Sequence, residues 1–250
     1  TGSGRGTLQS ADMEILRKAV GLRLAAIGSL MVALVFLFRT TGHTASRVDL
    51  VLVLAMDVSS SVDTDEFALQ RDGLARAVMD PQVLSAIKSG TNGRIAVSVV
   101  QWSGFTEQLT KIDWTVLGSR GDAARFASEI SAMTRRYHGG ATDIEGALQF
   151  TRAHVLSAPF ATPRWVIDVS GDGKSNVNAS PAEERDNSVD VGITINGLAI
   201  ADNVPTLAEY YRQNVTGGPG SFVEIAKSYK DFEEAMRRKL IREISAPGLS

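Results

Sequence analysis

Val48-Asp49-Leu50-Val51-Leu52-Val53-Leu54-Ala55-Met56-Asp57-Val58-Ser59-Ser60-Ser61 is the stretch whose reading decides the fold. Residues 48–56 are aliphatic almost throughout and lack the polar alternation of a strand with one wet face. They predict a central strand buried on both sides. Asp57, Ser59 and Ser61 follow at alternate positions, which places all three on the exposed loop leaving that strand's carboxyl end. In open α/β sheets, ligands bind outside the carboxyl ends of the strands. All three side chains offer hard oxygen donors, which suit magnesium, manganese or calcium rather than zinc or copper. Serines after a strand are, taken alone, more often turn formers or helix caps. The weight therefore rests on what the remaining chain brings to the same edge.

Two further junctions supply small oxygen donors beside glycine. Gly139-Gly140-Ala141-Thr142-Asp143 precedes a helical pattern with Ile144, Ala147, Leu148 and Val155 on one face. Ser170-Gly171-Asp172-Gly173 follows a second predicted strand, Arg164-Trp165-Val166-Ile167-Asp168-Val169. Glycine at such junctions lets the backbone come close to an ion or phosphate. Elsewhere, 94–102 predicts a strand, 106–114 an antiparallel edge strand, and 122–134 a helix. Residues 191–199 and 221–226 predict the last strands, and 229–244 a closing amphipathic helix through Phe232, Met236 and Leu240. Asp63 and Glu66 form a capping box for a helix whose inner face carries Phe67, Leu74, Ala75 and Val78. The alternation predicts an α/β, doubly wound (Rossmann-like) fold with a mostly parallel sheet, one antiparallel edge strand and helices on both faces.

This constellation resembles the von Willebrand factor type A (vWA) domain and its metal-ion-dependent adhesion site (MIDAS). In that family a D-x-S-x-S loop, a distant threonine and a more distant aspartate jointly hold one divalent cation. Asp57, Ser59, Ser61, Thr142 and Asp172 fill the five positions in that order, and the likeness runs over 48–244. Within the family the chain is most similar to bacterial exported vWA-like proteins. Two departures stand beside the match: Ser170-Gly171 precedes Asp172 where many relatives carry a threonine, and Lys174 places a cation close by. The resemblance implies a bound Mg2+ (or Mn2+/Ca2+) and a protein partner that offers an Asp or Glu carboxylate to the ion. The expected function is a non-enzymatic, exported, adhesion-type binding module.

Two other classes compete with that expectation. One is a hydrolase that uses the same cation to activate water, but none of the five residues is a general base or nucleophile. The other is a structural domain with a vestigial metal site. Gly173-Lys174-Ser175 resembles the end of a phosphate-binding loop, yet that motif requires glycine where Asp168 stands. A phosphatase with an aspartyl nucleophile would need a second aspartate where Ser59 stands. His43, His138 and His154 are scattered, and no nucleophile-elbow sequence supports a serine triad.

Hydrophobic residues at 44% and charged residues at 22% are ordinary for a globular domain. The net charge of −2 gives no basic surface for nucleic acid, and the absence of cysteine excludes disulfides and thiolate metal sites. Residues 47–250 read as one vWA-like domain. Residues 1–46 read as an upstream extension plus a signal peptide or membrane anchor. Basic Arg17, Lys18 and Arg23 precede the apolar stretch 24–38, and small residues follow at Thr44, Ala45 and Ser46. Fifteen apolar positions suit a signal peptide's central region of about 7–15 residues better than a spanning helix of about 20. Met13 reads as the natural start. The expected location is periplasmic or secreted in a bacterium, with anchoring to the inner membrane by 22–38 as the alternative. Fractionation with N-terminal sequencing checks this: a mature N-terminus near Ser46 on non-cytoplasmic protein is expected, and an intact leader on cytosolic protein would refute export.

Overall fold

The predicted central strand forms as β2 (Val51–Asp57), and all seven of its residues are buried. Its side chains divide by parity. Leu52, Leu54 and Met56 enter one apolar cluster, while Val51, Val53 and Ala55 enter another on the opposite face. A strand with two apolar faces is stable only between two layers of helices. This computed structural model describes residues 45–246 apart from 178, 179 and 203. The leader and its anchor alternative lie outside the described residues. Among the described residues, no helix is long and apolar enough to cross a membrane.

Beside β2 stand β3 (Ile95–Trp102), β4 (Gln108–Leu117), β6 (Trp165–Gly171), β7 (Ile193–Ile200) and β8 (Val223–Ala226), in the sheet order β4-β3-β2-β6-β7-β8. All neighbours are parallel except β3 and β4, which pair antiparallel. Two short strands, β1 (Ser46–Arg47) and β5 (Phe160–Ala161), pair separately and in parallel. The helices are α1 (Thr64–Val78), α2 (Pro81–Ser89), α3 (Arg120–Ser131), α4 (Ile144–Leu156), α5 (Ala182–Asp190), α6 (Leu207–Asn214) and α7 (Phe232–Ser245). Helices α1, α2, α3 and α7 cover one face of the sheet through Leu74, Val83, Phe126 and Phe232. Helices α4 and α6 cover the other through Leu148 and Tyr211. The doubly wound fold with one antiparallel edge strand is the one the sequence predicts.

Local signals account for the boundaries. The Asp63–Glu66 capping box forms reciprocally, with Glu66 N–H donating to Asp63 at 2.8 Å and Asp63 N–H to Glu66 at 2.7 Å. The edge strand begins at Gln108 rather than 106, because Glu107 N–H first closes a turn onto Gly104 O and Thr106 takes a left-handed φ of 59°. The sequence reading did not anticipate α2, α5 and α6. Helix α2 has a legible start, Asp80 capping Gln82 with Pro81 at the first position. Helix α5 also has a legible start, Ser180 accepting from Ala182 N–H at 3.3 Å with Pro181 between them, whereas α6 has no side-chain cap, so packing rather than a local signal establishes it.

His154 on α4 links that layer to the sheet. Its Nε2 lies 2.8 Å from the buried Ser98 Oγ, and its ring stacks on Trp114 with centroids 4.7 Å apart. Burial holds the imidazole pKa below its usual value against the weaker opposing effect of Asp113. A histidine whose folded pKa is depressed contributes stability that is present above its unfolded pKa of about 6.5 and is lost as pH falls from there. Melting temperatures from pH 7.5 down to 5 should therefore fall more steeply for the parent than for His154→Gln. Parallel curves would remove His154 as the cause.

Candidate metal centre

Three loops at the carboxyl edge of the sheet bring the sequence-predicted donors together. The loop after β2 carries Ser59 and Ser61, the segment before α4 carries Thr142, and the loop after β6 carries Asp172. Thr142 Oγ1 donates to Ser59 Oγ at 3.3 Å, Ser59 and Ser61 hydroxyls are 3.2 Å apart, and Ser61 Oγ donates to Asp172 Oδ1 at 2.7 Å. Asp57 Oδ1 accepts from Ser59 N–H at 2.8 Å. All five predicted residues thus belong to one connected cluster. One expectation is corrected: Asp57 does not sit on an exposed loop but is the last residue of β2, fully buried. Ser59 and Thr142 are also buried, whereas Ser61 is exposed and Asp172 half-buried. The cluster is a well with Asp57 at its floor and Ser61 and Asp172 at its mouth.

The loops hold one another in place. Val58 N–H bonds Trp102 O, Ser60 N–H bonds Gly140 O, and Arg135 Nη2 donates to Ser59 O at 2.8 Å and Val58 O at 3.1 Å. Asn176 clips the threonine loop to the aspartate loop, accepting from Thr142 N–H at 2.8 Å and donating its own N–H to Thr142 O at 3.0 Å. Gly171 is required by space. A Cβ there would come within 2.8 Å of both Asp57 Oδ2 and the Tyr211 hydroxyl. Arg135, Asn176 and Tyr211 escaped the sequence reading, since their roles depend on neighbours far away in the chain. Lys174 Nζ lies 5.6 Å from the Tyr210 ring centroid, and His138 is exposed.

The electrostatics favour a cation. Burial, then the nearby Asp172 charge, pushes the Asp57 carboxyl up to about 7, against the lowering effects of the Ser59 hydrogen bonds and Arg135. Its Oδ2 is buried without a hydrogen-bond partner. Tyr211 and Tyr229 are likewise raised, first by burial and then by the charges of Asp57 and Asp172. An unsatisfied carboxylate oxygen beside a second carboxylate and three hydroxyls suits a hard divalent ion. Two carboxylates match its charge and the hydroxyls donate without adding more. Among the described residues no three His, Cys, Asp or Glu side chains gather as a metal site, so any ion held here depends on the hydroxyls.

The helix–sheet–helix layers, with the oxygen cluster at the sheet's carboxyl edge, have the fold of vWA domains. The chain belongs to the family described as protein of unknown function (DUF1194), whose profile matches residues 47–248. No curated protein matches the chain. Solved structures of the same fold include proximal thread matrix protein 1 (PTMP1) from the mussel byssus with a zinc-occupied MIDAS motif. That structure has 20% identity and a TM-score of 0.60, over 80% of this chain and 49% of its own. The vWF domain of the type V pili tip protein Mfa5 from Porphyromonas gingivalis aligns at 11% identity and TM-score 0.55, over 82% of this chain and 99% of its own. A vWA protein from Catenulispora acidiphila aligns at 15% identity and TM-score 0.54, over 79% and 43%. This chain therefore spans about half the length of the mussel protein. These likenesses show the fold.

The raised Asp57 pKa has a consequence for the metal-free domain. A carboxyl whose folded pKa lies above its unfolded value of about 3.9 contributes stability that is present at low pH and lost as pH rises through the folded value. In chelator, the parent should lose stability between about pH 4 and 7 relative to Asp57→Asn. At pH 7.5, magnesium or manganese should raise the melting temperature of the parent and not of the variant. Equal cation-induced shifts would exclude Asp57 from the ligand set.

Proposed function

We propose that the domain is an exported, metal-dependent protein-binding module of the adhesion type. Asp57, Ser59, Ser61, Thr142 and Asp172 would hold one divalent cation, some through water. The reading is carried by the convergence of five oxygen donors on the unpartnered, buried Oδ2 of Asp57. The hard oxygen set suits magnesium, manganese or calcium. When bound, the ion supplies a Lewis-acidic position for a partner's Asp or Glu carboxylate. The chain's own residues do the rest: Ser61 and Asp172 face solvent, Arg135 fixes the serine loop from beneath, and the flanking loops choose which acidic surface fits.

The surroundings of the well support binding over hydrolysis. The phenols of Tyr211 and Tyr229 lie near the two aspartates, and burial keeps both protonated. Neither is suited to take a proton from water at neutral pH. Export is supported by the leader's basic-apolar-small order and by the settings of its fold relatives, a mussel byssus protein and a pili tip protein.

Pull-down from a periplasmic fraction in magnesium tests the proposal. A specific partner should elute with chelator, fail to bind Thr142→Ala, and lose binding when one of its acidic residues is replaced. A partner that stays bound equally under all three changes would move recognition elsewhere on the domain. Turnover of phosphoesters that requires the cation would favour the hydrolase.

A further inference from the structure

Tyr211, on α6, reaches the floor of the metal well with a hydroxyl that packing does not explain. The residue is fully buried, and its ring belongs to the apolar cluster that α4 and α6 form against the sheet. Its hydroxyl has no hydrogen-bond partner among the described residues. A buried hydroxyl left unpaired carries its full desolvation cost. Phenylalanine would fill the same space, less one oxygen, without that cost. Two glycines on adjacent strands make the slot that brings the phenol here. A Cβ on Gly197 of β7 would stand 2.6 Å from Tyr211 Cδ1, and a Cβ on Gly171 of β6 would stand 2.8 Å from the hydroxyl. The sheet thus gives up two side chains to seat an oxygen that makes no hydrogen bond.

The oxygen that shares this slot is the unpartnered acceptor of the well. The same Cβ on Gly171 would stand 2.8 Å from Asp57 Oδ2. That oxygen is buried and without a donor, while Oδ1 accepts from Ser59 N–H. A buried donor and a buried acceptor therefore flank one glycine, the first from the α6 layer and the second from the end of β2. After burial itself, the charge of Asp57 does most to keep the proton on Tyr211. A phenol suits the place. It is a neutral donor at the end of a rigid ring, so it adds no positive charge to compete with a cation, as a lysine would. A carboxylate oxygen has lone pairs for an ion and a donor together, and donors behind metal ligands fix their orientation.

We propose that Tyr211 is a positioning residue of the metal centre, whose hydroxyl donates to Asp57 Oδ2 when the cation is held and so fixes the carboxylate from behind. The proposal rests on the reading that Asp57, Ser59, Ser61, Thr142 and Asp172 bind a divalent ion, and it adds a group outside that set. A difference in sign separates this role from packing. If the hydroxyl only packs, its loss changes stability equally with and without the cation. If it positions Asp57, it costs stability in the metal-free domain and contributes stability in the loaded one.

Magnesium titrations of the full chain and of its Tyr211→Phe variant test it, with calorimetry, melting temperature and tyrosine absorbance as readouts. In chelator the variant should melt no lower than the parent, because it loses an unpaired oxygen and keeps the ring. It should bind magnesium about tenfold to a hundredfold more weakly and gain less in melting temperature from the cation. Saturating magnesium should shift the near-ultraviolet tyrosine band of the parent, as a phenol acquires an acceptor. That shift should be missing from saturated Tyr211→Phe. A variant that matches the parent in magnesium affinity would overturn the proposal and leave the metal centre standing. So would a variant that melts lower by the same interval with and without magnesium, which makes Tyr211 a packing residue. A parent that binds no magnesium removes the metal reading and the proposal together.

Discussion

Parallel pairing of β2 with β6 is the constraint on which the rest of the structure depends. Its register, Met56 opposite Ser170, carries Asp57 and Asp172 to the same edge, although the hydrogen-bonded Ser61 and Asp172 are 111 residues apart in sequence. Parallel strands cannot be joined by a tight turn. The intervening chain therefore builds β3, β4 and four helices before it returns to the other side of β2. The strand order reverses at this pair, which opens the crevice where α/β sheets bind ligands. The position of the oxygen cluster is thus a consequence of topology.

Placing charge at that crevice works against stability. Asp57 is buried at the end of an apolar strand, beside a second carboxylate, and its raised pKa expresses both costs. Hydrogen bonds from Ser59 and the charge of Arg135 offset them in part. Oδ2 is left without a donor, and Gly171 gives up a side chain to leave room beside it. Local rules broken together at one place mark a functional site more convincingly than any one of them. The middle of β6 repeats the pattern, with Asp168 and the helical Glu243 sharing Lys239 where α7 covers the strand.

The legible features were those written in adjacent residues. The capping box at Asp63 and Glu66, the burial of the central strand on both faces, and the buried stripe Ile144, Ala147, Leu148 and Val155 all formed as predicted. Helix α6 was not legible, because it carries no side-chain cap, and the Ser180-Pro181 start of α5 is brief and precedes a segment with few apolar residues. Asp57 was misplaced onto an exposed loop because a string of letters does not show whether a strand ends before or after its first polar residue. Pairing with Trp102 on β3 keeps Asp57 inside the sheet.

By itself the sequence determined the class of fold and the identity of the oxygen donors, because hydrophobic periodicity, glycine positions and donor chemistry are local properties. Tertiary structure alone decided that the donors meet, how deep Asp57 lies, and which groups hold the loops. Arg135 beneath the serine loop, Asn176 between two loops and Tyr211 across Gly171 act through contacts between distant segments. The balance of Asp168, Lys239, Asn196 and Glu243 is of the same kind, and exists only when two strands and the last helix close on one another and exclude water. Burial turns an ordinary carboxylate into an unsatisfied one, and burial is a property of the folded whole.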